Sequence, residues 1–264
     1  YSGDGNPAND PGTQLDHPSG VAVDSLGNVL ILDTRNVALR KVDAGTGLIS
    51  TLAVGWTPYW GAPPFDWMFG LAVDGAGNAY VADPNFSAVW KIDPVGVVTQ
   101  FAGVGWSAYA FSGDGGPATD AELNFPNGVA VDNGGNVYIA DSSNAVIRRV
   151  DAFSGDISTF AGQPGVSGFA GDGGPPSAAQ LFFMFQALGV DGPTGLAFDA
   201  ADNLLLTDSV NFVMRRMSPV GGAAGVSATC PETGDWLQVS LTITNTGSVA
   251  VSLTAATVYV SAGS

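Results

Sequence analysis

Pro126-Asn127-Gly128-Val129-Ala130-Val131-Asp132-Asn133-Gly134-Gly135-Asn136-Val137-Tyr138-Ile139-Ala140-Asp141 is the stretch on which the fold turns. It reads as a short apolar strand ending at Asp132, a tight turn through Gly135 and Asn136, and a returning apolar strand that ends on a second carboxylate, Asp141. Asp heads such turns because its side chain bonds the backbone a few residues on, and Gly supplies the positive φ that other residues resist.

The same pattern stands four times, over Gly20 to Asp43, Gly70 to Asp93, Gly128 to Asp151 and Gly195 to Ser218. Its first Asp is Asp24, Asp74, Asp132 or Asp199; Asn28, Asn78, Asn136 or Asn203 follows four residues on, and Asp33, Asp83, Asp141 or Asp208 nine on. Nineteen after the first stand Asp43, Asp93 and Asp151, with Ser218 breaking the rule. In the first copy Gly20 to Asp24, Val29 to Leu32, Val37 to Val42 and Leu48 to Ala53 are four successive strands, and Val97 to Ala102 and Asp156 to Ala161 are the fourth strands of the next two. Past Ser218 the chain runs Pro219-Val220-Gly221-Gly222-Ala223-Ala224-Gly225, so the fourth copy is expected to lack an outer strand of its own. Antiparallel four-stranded units at intervals of 50, 58 and 67 residues are the blades of a β-propeller. The chain is therefore predicted to be all-β, with four blades over residues 1–222, closed, open or partial, and a β-hairpin over 223–264.

Seven of the eight basic residues fall in one slot of the repeat: Arg40 and Lys41, Lys91, Arg148 and Arg149, Arg215 and Arg216. Only Arg35 lies elsewhere. Each cation is expected to answer a fixed anion of its own repeat, the second Asp, as a structural pair across neighbouring strands.

Composition agrees with turns rather than helices. The 264 residues hold 37 Gly and 16 Pro, and 22 Asp against 2 Glu and 2 Lys, so the residues that surface helices are scarce. An apolar share of 45% suffices for a core. A net charge of −16 repels phosphate backbones and anionic lipid, which argues against nucleic-acid binding and polybasic membrane contact. No apolar run is long enough to insert across a membrane. Cys230 stands alone, allows no internal disulfide and leaves the redox compartment open. A start at Tyr1, without an initiating Met, reads as a processed product or a piece of something longer.

A second element recurs between copies: Tyr1-Ser2-Gly3-Asp4-Gly5-Asn6-Pro7-Ala8, Phe111-Ser112-Gly113-Asp114-Gly115-Gly116-Pro117-Ala118 and Phe169-Ala170-Gly171-Asp172-Gly173-Gly174-Pro175-Pro176. The second copy carries the aromatic segment Trp56 to Phe69 in its place. Taken with Ile147-Arg148 and Ile157-Ser158-Thr159-Phe160-Ala161-Gly162, these residues resemble the NHL-repeat family of β-propellers, in its bacterial and algal extracellular type, over about residues 1 to 222. The resemblance implies an interaction scaffold, secreted or on the cell surface. Enzymes of this fold use several His ligands, or a calcium site of Glu, Asn and Asp. This chain has one histidine, His17, and two glutamates, Glu122 and Glu232, so no catalytic residue and no resident cofactor are expected.

Binding remains the reading to test. Asp4, Asp114 and Asp172 sit in glycine-rich loops that could wrap carbonyls and a carboxylate around Ca2+, although tight turns need the same letters and the EF-hand spacing is missing. Trp60, Trp67 and Trp106, in loops on either side of the second copy, would mark a protein or glycan contact if exposed together; packing between blades is the competing reading. Asn85-Phe86-Ser87 fits the N-glycosylation acceptor pattern. Near the carboxyl end Trp236 precedes the alternation Leu237, Val239, Leu241, Ile243; a turn at Asn245 to Ser248 leads into Val249 to Val260, a ribbon resembling the opening strands of immunoglobulin-like modules. Two strands alone are unstable, so this hairpin is expected to dock on the fourth copy's vacant edge or on another chain. Strand addition between chains would make the protein a self-associating, non-enzymatic structural or adhesive module of a filament or surface layer. The alternative is a monomeric propeller that binds a protein or glycan; a calcium-dependent hydrolase is the third reading.

Overall fold

The computed structural model describes residues 1–55, 68–105, 110–183, 195–218 and 227–229. They form four antiparallel four-stranded sheets, the blades of a β-propeller. Blade 1 is β1 (Pro18–Val23), β2 (Val29–Asp33), β3 (Ala38–Val42) and β4 (Ile49–Val54). Blade 2 is β5 (Leu71–Val73), β6 (Ala79–Asp83), β7 (Ala88–Ile92) and β8 (Val98–Ala102). Blade 3 is β9 (Pro126–Val131), β10 (Val137–Asp141), β11 (Val146–Val150) and β12 (Ile157–Gly162). Blade 4 is β13 (Leu196–Phe198), β14 (Leu204–Asp208), β15 (Val213–Met217) and β16 (Ser227–Thr229). Each blade is a meander in which strands adjacent in sequence are paired.

That topology corrects one expectation. The fourth blade does have an outer strand, because Ser227–Thr229 lies next to β15, past the glycines that were read as the end of the copy. The segment is short and threonine-containing, with no alternation long enough to announce it. The ribbon of Trp236, Leu237, Val239, Leu241 and Ile243 lies outside the described residues; Ser227–Thr229, which belongs to the 223–264 segment expected to dock on this edge, occupies the place next to β15.

The Asp-to-Asn spacing closes the first turn of every blade. Asp24 Oδ1 accepts from the backbone N–H of Leu26 and Asn28 at 2.9 Å, while Asn28 Nδ2 donates back to Asp24 Oδ2 at 2.7 Å. Asp74 with Asn78, Asp132 with Asn136 and Asp199 with Asn203 repeat the exchange. Gly27, Gly77 and Gly135 take the left-handed backbone this turn requires, and in blade 4 Asp202 takes it at φ 62°.

Among the described residues three apolar cores hold the blades together, one between each pair of successive blades. Leu30, Leu32 and Leu39 of blade 1 meet Val81, Trp90 and Ile92 of blade 2. Tyr80 and Val89 on the far side of blade 2 meet Val137, Ile139 and Val150 of blade 3. Tyr138, Ala140 and Ile147 meet Leu204, Leu206 and Met217 of blade 4. At that third junction Tyr138 lies edge-on to Phe198 of blade 4 at 5.0 Å and to Phe160 of its own blade at 5.1 Å.

Candidate functional site

The most elaborate polar construction in the described residues occurs three times, where the glycine-rich loops meet the blades. It begins with the second Asp of the repeat, at the end of the second strand. Asp33, Asp141 and Asp208 are fully buried, and each receives the backbone N–H of the chain entering its blade: Asp16 N to Asp33 Oδ1 at 2.7 Å, Asn124 N to Asp141 Oδ1 at 2.7 Å, and Phe182 N to Asp208 Oδ1 at 2.9 Å. Asn36, Asn144 and Asn211, three residues after each carboxylate, add a side-chain N–H at 2.9 Å.

Into this setting the third strand inserts an arginine. Arg40, Arg148 and Arg215 are wholly buried, and their Nη1 groups lie 3.5, 3.3 and 3.3 Å from Asp33, Asp141 and Asp208. The expected pairing of basic slot and second Asp is thus present for these three arginines, while Lys91 of blade 2 lies over the Tyr80 ring instead. What the repeat pattern did not reveal is the other half of the grip. Nη2 reaches the loop carboxylate as well: Asp4 at 2.7 Å, Asp114 at 2.6 Å and Asp172 at 2.6 Å. Loop carbonyls take further donors, Ser2 and Gln14 from Arg40, Ser112 and Glu122 from Arg148, Ala170 and Gln180 from Arg215. The aromatic that opens each loop covers the guanidinium, with Tyr1, Phe111 and Phe169 centred 5.1, 4.5 and 5.5 Å from it. A planar fork with several donors suits this role, since one lysine point charge could not bridge two carboxylates and two carbonyls.

Asp4, Asp114 and Asp172, read from sequence as cation ligands, are therefore each engaged by an arginine. Asp4 also accepts from the backbone N–H and the hydroxyl of Thr51, and Asp114 from the backbone N–H of Thr159, so each ties its loop to the blade's outer strand. Among the described residues no three His, Cys, Asp or Glu side chains come together as a metal-binding group. The signal that could have identified the grip was co-occurrence, because the second blade lacks both the Gly-Asp-Gly loop and the arginine and has Trp90 instead. There Trp90 Nε1 donates to the buried Asp83 at 3.1 Å.

Burial dominates the electrostatics of Asp141, Asp208 and Asp83. It pushes Asp141 up to about 6, against the pull of Asn144, Asn124 and Arg148. It raises Asp208 and, with no guanidinium beside it, Asp83. The second cation of the slot serves the exposed turn: Lys41 to Asp24 at 3.8 Å, Arg149 to Asp151 at 3.1 Å and Arg216 to Asp199 at 3.2 Å.

The other sequence candidates are scattered. Trp60, Trp67, Trp106 and Glu232 lie outside the described residues. Asn85 is half-buried in the turn after β6, and its acceptor partner Ser87 is buried. His17 is exposed and bonded to its neighbour Asp16 at 2.6 Å, and Glu122 offers Arg148 only its backbone carbonyl. No helix among the described residues is long and apolar enough to cross a membrane.

Comparison with known proteins agrees with the repeat. The teneurin NHL domain model matches residues 108–262, running on through the carboxyl-terminal segment read above as immunoglobulin-like, and the NHL repeat model matches residues 15–41. Teneurin-4 of Mus musculus is 34% identical over 103 residues, 39% of this chain and 3% of that protein; teneurin-1 of Gallus gallus is 30% identical over the same length, 4% of its own. The chain thus spans a small part of these relatives. Among solved structures, a structural genomics protein of unknown function from Bacteroides thetaiotaomicron superposes with a TM-score of 0.61 at 21% identity, over 80% of this chain and 47% of that one. Virginiamycin B lyase from Staphylococcus aureus gives 0.51 at 13% identity, over 85% and 58%. At such identities these structures share the fold alone.

Proposed function

The chain belongs to the teneurin NHL domain family, and on that premise we propose that it is a non-enzymatic, secreted or cell-surface propeller module that binds a protein partner through its loop face. The observation that carries this reading is the threefold arginine grip. Its carboxylates hold loops in place, and fixed loops on rigid sheets are a recognition surface. The loops so held are exposed beyond the grip, as at Thr119 and Asp120, while the loop carboxylates Asp4, Asp114 and Asp172 are engaged by Arg40, Arg148 and Arg215.

Two measurements test it. Thermal unfolding in calcium chloride and in EDTA should give the same midpoint; a rise of several degrees with calcium, lost on Asp114→Ala and Asp172→Ala, would reinstate Asp4, Asp114 and Asp172 as cation ligands in place of loop fasteners. Binding of the purified chain to arrayed cell-surface ectodomains and to a glycan array should give protein hits that Thr119→Arg with Asp120→Arg removes without lowering stability. Hits confined to glycans, or indifferent to those substitutions, would overturn the loop-face assignment.

A further inference from the structure

Two of the glycine-rich loops carry a second set of bonds that the arginine grip does not require. In blade 3 the Gly115 N–H donates to the Ile157 carbonyl at 2.8 Å, the Ile157 N–H returns to the Gly116 carbonyl at 2.9 Å, and the Ala118 N–H donates to the Gly155 carbonyl at 3.0 Å. In blade 1 the same three bonds run from Gly5 to Ile49, Ile49 to Asn6 and Ala8 to Gly47, at 2.8, 2.9 and 3.0 Å. One residue pair further along, Thr159 N–H reaches Asp114 Oδ2 at 3.1 Å and Thr51 N–H reaches Asp4 Oδ2 at 3.2 Å, so a carboxylate oxygen takes the place of the next carbonyl of a neighbouring strand. Each loop therefore lies along the outer edge of its blade, on the N–H groups that β4 and β12 turn away from the sheet. Asp114 divides its two oxygens between the two tasks, Oδ1 on Arg148 and Oδ2 on Thr159.

The edges covered in this way are of a hazardous kind. Ile49-Ser50-Thr51-Leu52-Ala53-Val54 and Ile157-Ser158-Thr159-Phe160-Ala161-Gly162 are uncharged runs without proline, rich in β-formers, and an uncovered edge of that composition is a template for another strand. A second copy of this chain brings just such a strand. The loop covers the edge without offering a new one, since Pro7 and Pro117 have no N–H to donate and Gly3, Gly5, Gly113 and Gly115 hold φ between 84° and 94°, far from extended backbone.

We propose that the loops before blades 1 and 3 are edge guards locked by Arg40 and Arg148, and that releasing a guard opens β4 or β12 to strand addition by the same strand of a second copy of this chain. The guard is an autoinhibitory contact against self-association. It goes beyond the loop-face reading and does not use Thr119 or Asp120, so either can fail while the other stands.

Asp114→Ala tests it, because the substitution removes the bond to the lock and the bond to the edge together. At a dilution where the variant is monomeric, amide exchange at Ile157 and Thr159 should quicken about tenfold, the ratio that follows from losing one charged hydrogen bond, while Ser158, whose N–H faces β11, should keep its rate. Light scattering across micromolar concentrations should then show a mass that rises with concentration beyond that of the wild type. Adding Ser158→Lys, a charge on the edge strand, should abolish that rise and leave the fast exchange in place. Trp90→Phe in blade 2 unsettles a buried carboxylate without touching a guard and should not promote association. The proposal is overturned if Asp114→Ala associates no more than the wild type, if its Ile157 and Thr159 amides keep their rates, if Ser158→Lys leaves the association intact, or if Trp90→Phe associates equally. Should Asp114→Ala fail to fold, Asp4→Ala with and without Ser50→Lys decides the same question at blade 1.

Discussion

Blade 2 and blade 3 share strand order, turn chemistry and the buried carboxylate after the second strand, yet they satisfy that carboxylate differently. In blade 3 Asp141 faces the Arg148 guanidinium, which extends to Asp114 and to the Ser112 and Glu122 carbonyls of the preceding loop. In blade 2 Asp83 faces the indole N–H of Trp90, and the sequence before the blade carries Trp56 to Phe69 in place of a Gly-Asp-Gly repeat. The carboxylate is constant because its first duty is to the backbone: it receives the incoming N–H of Asn124 in blade 3 and the N–H of Phe86 in blade 2. The cation appears only where a loop carboxylate offers a second anion. A buried guanidinium with one carboxylate would be poorly satisfied, and with two plus carbonyls it becomes the fastener of the loop.

The largest effect expected of this difference comes from Arg148→Met, which strands Asp141 in the interior and frees the loop at Asp114. A loss of about 3–5 kcal/mol is expected from breaking such a buried pair, read as a shift in the denaturant midpoint; a shift no larger than that of an exposed substitution would show that the grip is incidental. Trp90→Phe in blade 2 removes one N–H donor from Asp83 and should cost less, about 1–3 kcal/mol. If the two substitutions cost the same, the blades do not differ in the way proposed.

Asp114→Ala should act mainly on the loop. The side chain is 39% exposed, and its loss leaves Arg148 with Asp141, so about 1–2 kcal/mol is expected, at the lower end for a charged hydrogen bond. Hydrogen exchange should quicken at Gly115 and Ala118, whose N–H groups bond Ile157 and Gly155. Combined with Arg148→Met the loss should fall short of additive, because both remove one interaction; strict additivity would mean that the loop and the arginine are independent.

The pH dependence sharpens the contrast further. Burial raises the Asp83 carboxyl above 3.8, so the folded state holds that proton more tightly than the unfolded chain. Its contribution is fully present below pH 3.8 and is lost as pH rises through the raised value. The exposed turn carboxylates Asp43, Asp151 and Asp199, lowered chiefly by hydrogen bonds within their turns, act in the opposite sense. Only a difference between variant and wild type isolates Asp83: Asp83→Asn should make stability fall less, or rise more, between pH 4 and pH 7 than in the wild type, whatever its absolute value. An unchanged pH profile would mean that Asp83 stays ionised when folded.

The smallest effect separates the blades by backbone alone. Val37, Ser87, Ala145 and Phe212 occupy one slot, four residues after the second Asp, and all have φ between 45° and 56°. The Phe212 side chain is 63% exposed, so Phe212→Gly gives up little packing and relieves a strained conformation. A gain of about 0.5–1 kcal/mol is expected, visible as a small rise in melting temperature. Val37→Gly should gain less, because the Val37 side chain packs against the core between blades 1 and 2.

Much of this was legible in the letters. The Asp-Asn spacing fixes a turn through bonds that span four residues, and such local chemistry repeats wherever the letters repeat. The slot that gathers Arg40, Arg148 and Arg215 announced a pairing with Asp33, Asp141 and Asp208 for the same reason. The left-handed slot was not legible, since Val, Ser, Ala and Phe share no preference for positive φ; the bonds around the preceding Asp impose it. The outer strand of blade 4 was missed because three residues, Ser227–Thr229, become a strand only by lying against the edge of β15.

What the sequence by itself determined, then, is the repeat: four meanders, their turns and their apolar faces, all set by residues close enough along the chain to act on one another directly. What only the tertiary structure decided is the use to which the loop carboxylates are put and which strand edges they close. Asp114 and Arg148 are 34 residues apart, and Asp114 and Thr159 are 45 apart. Both are matters of long-range packing, which a local pattern permits but does not specify.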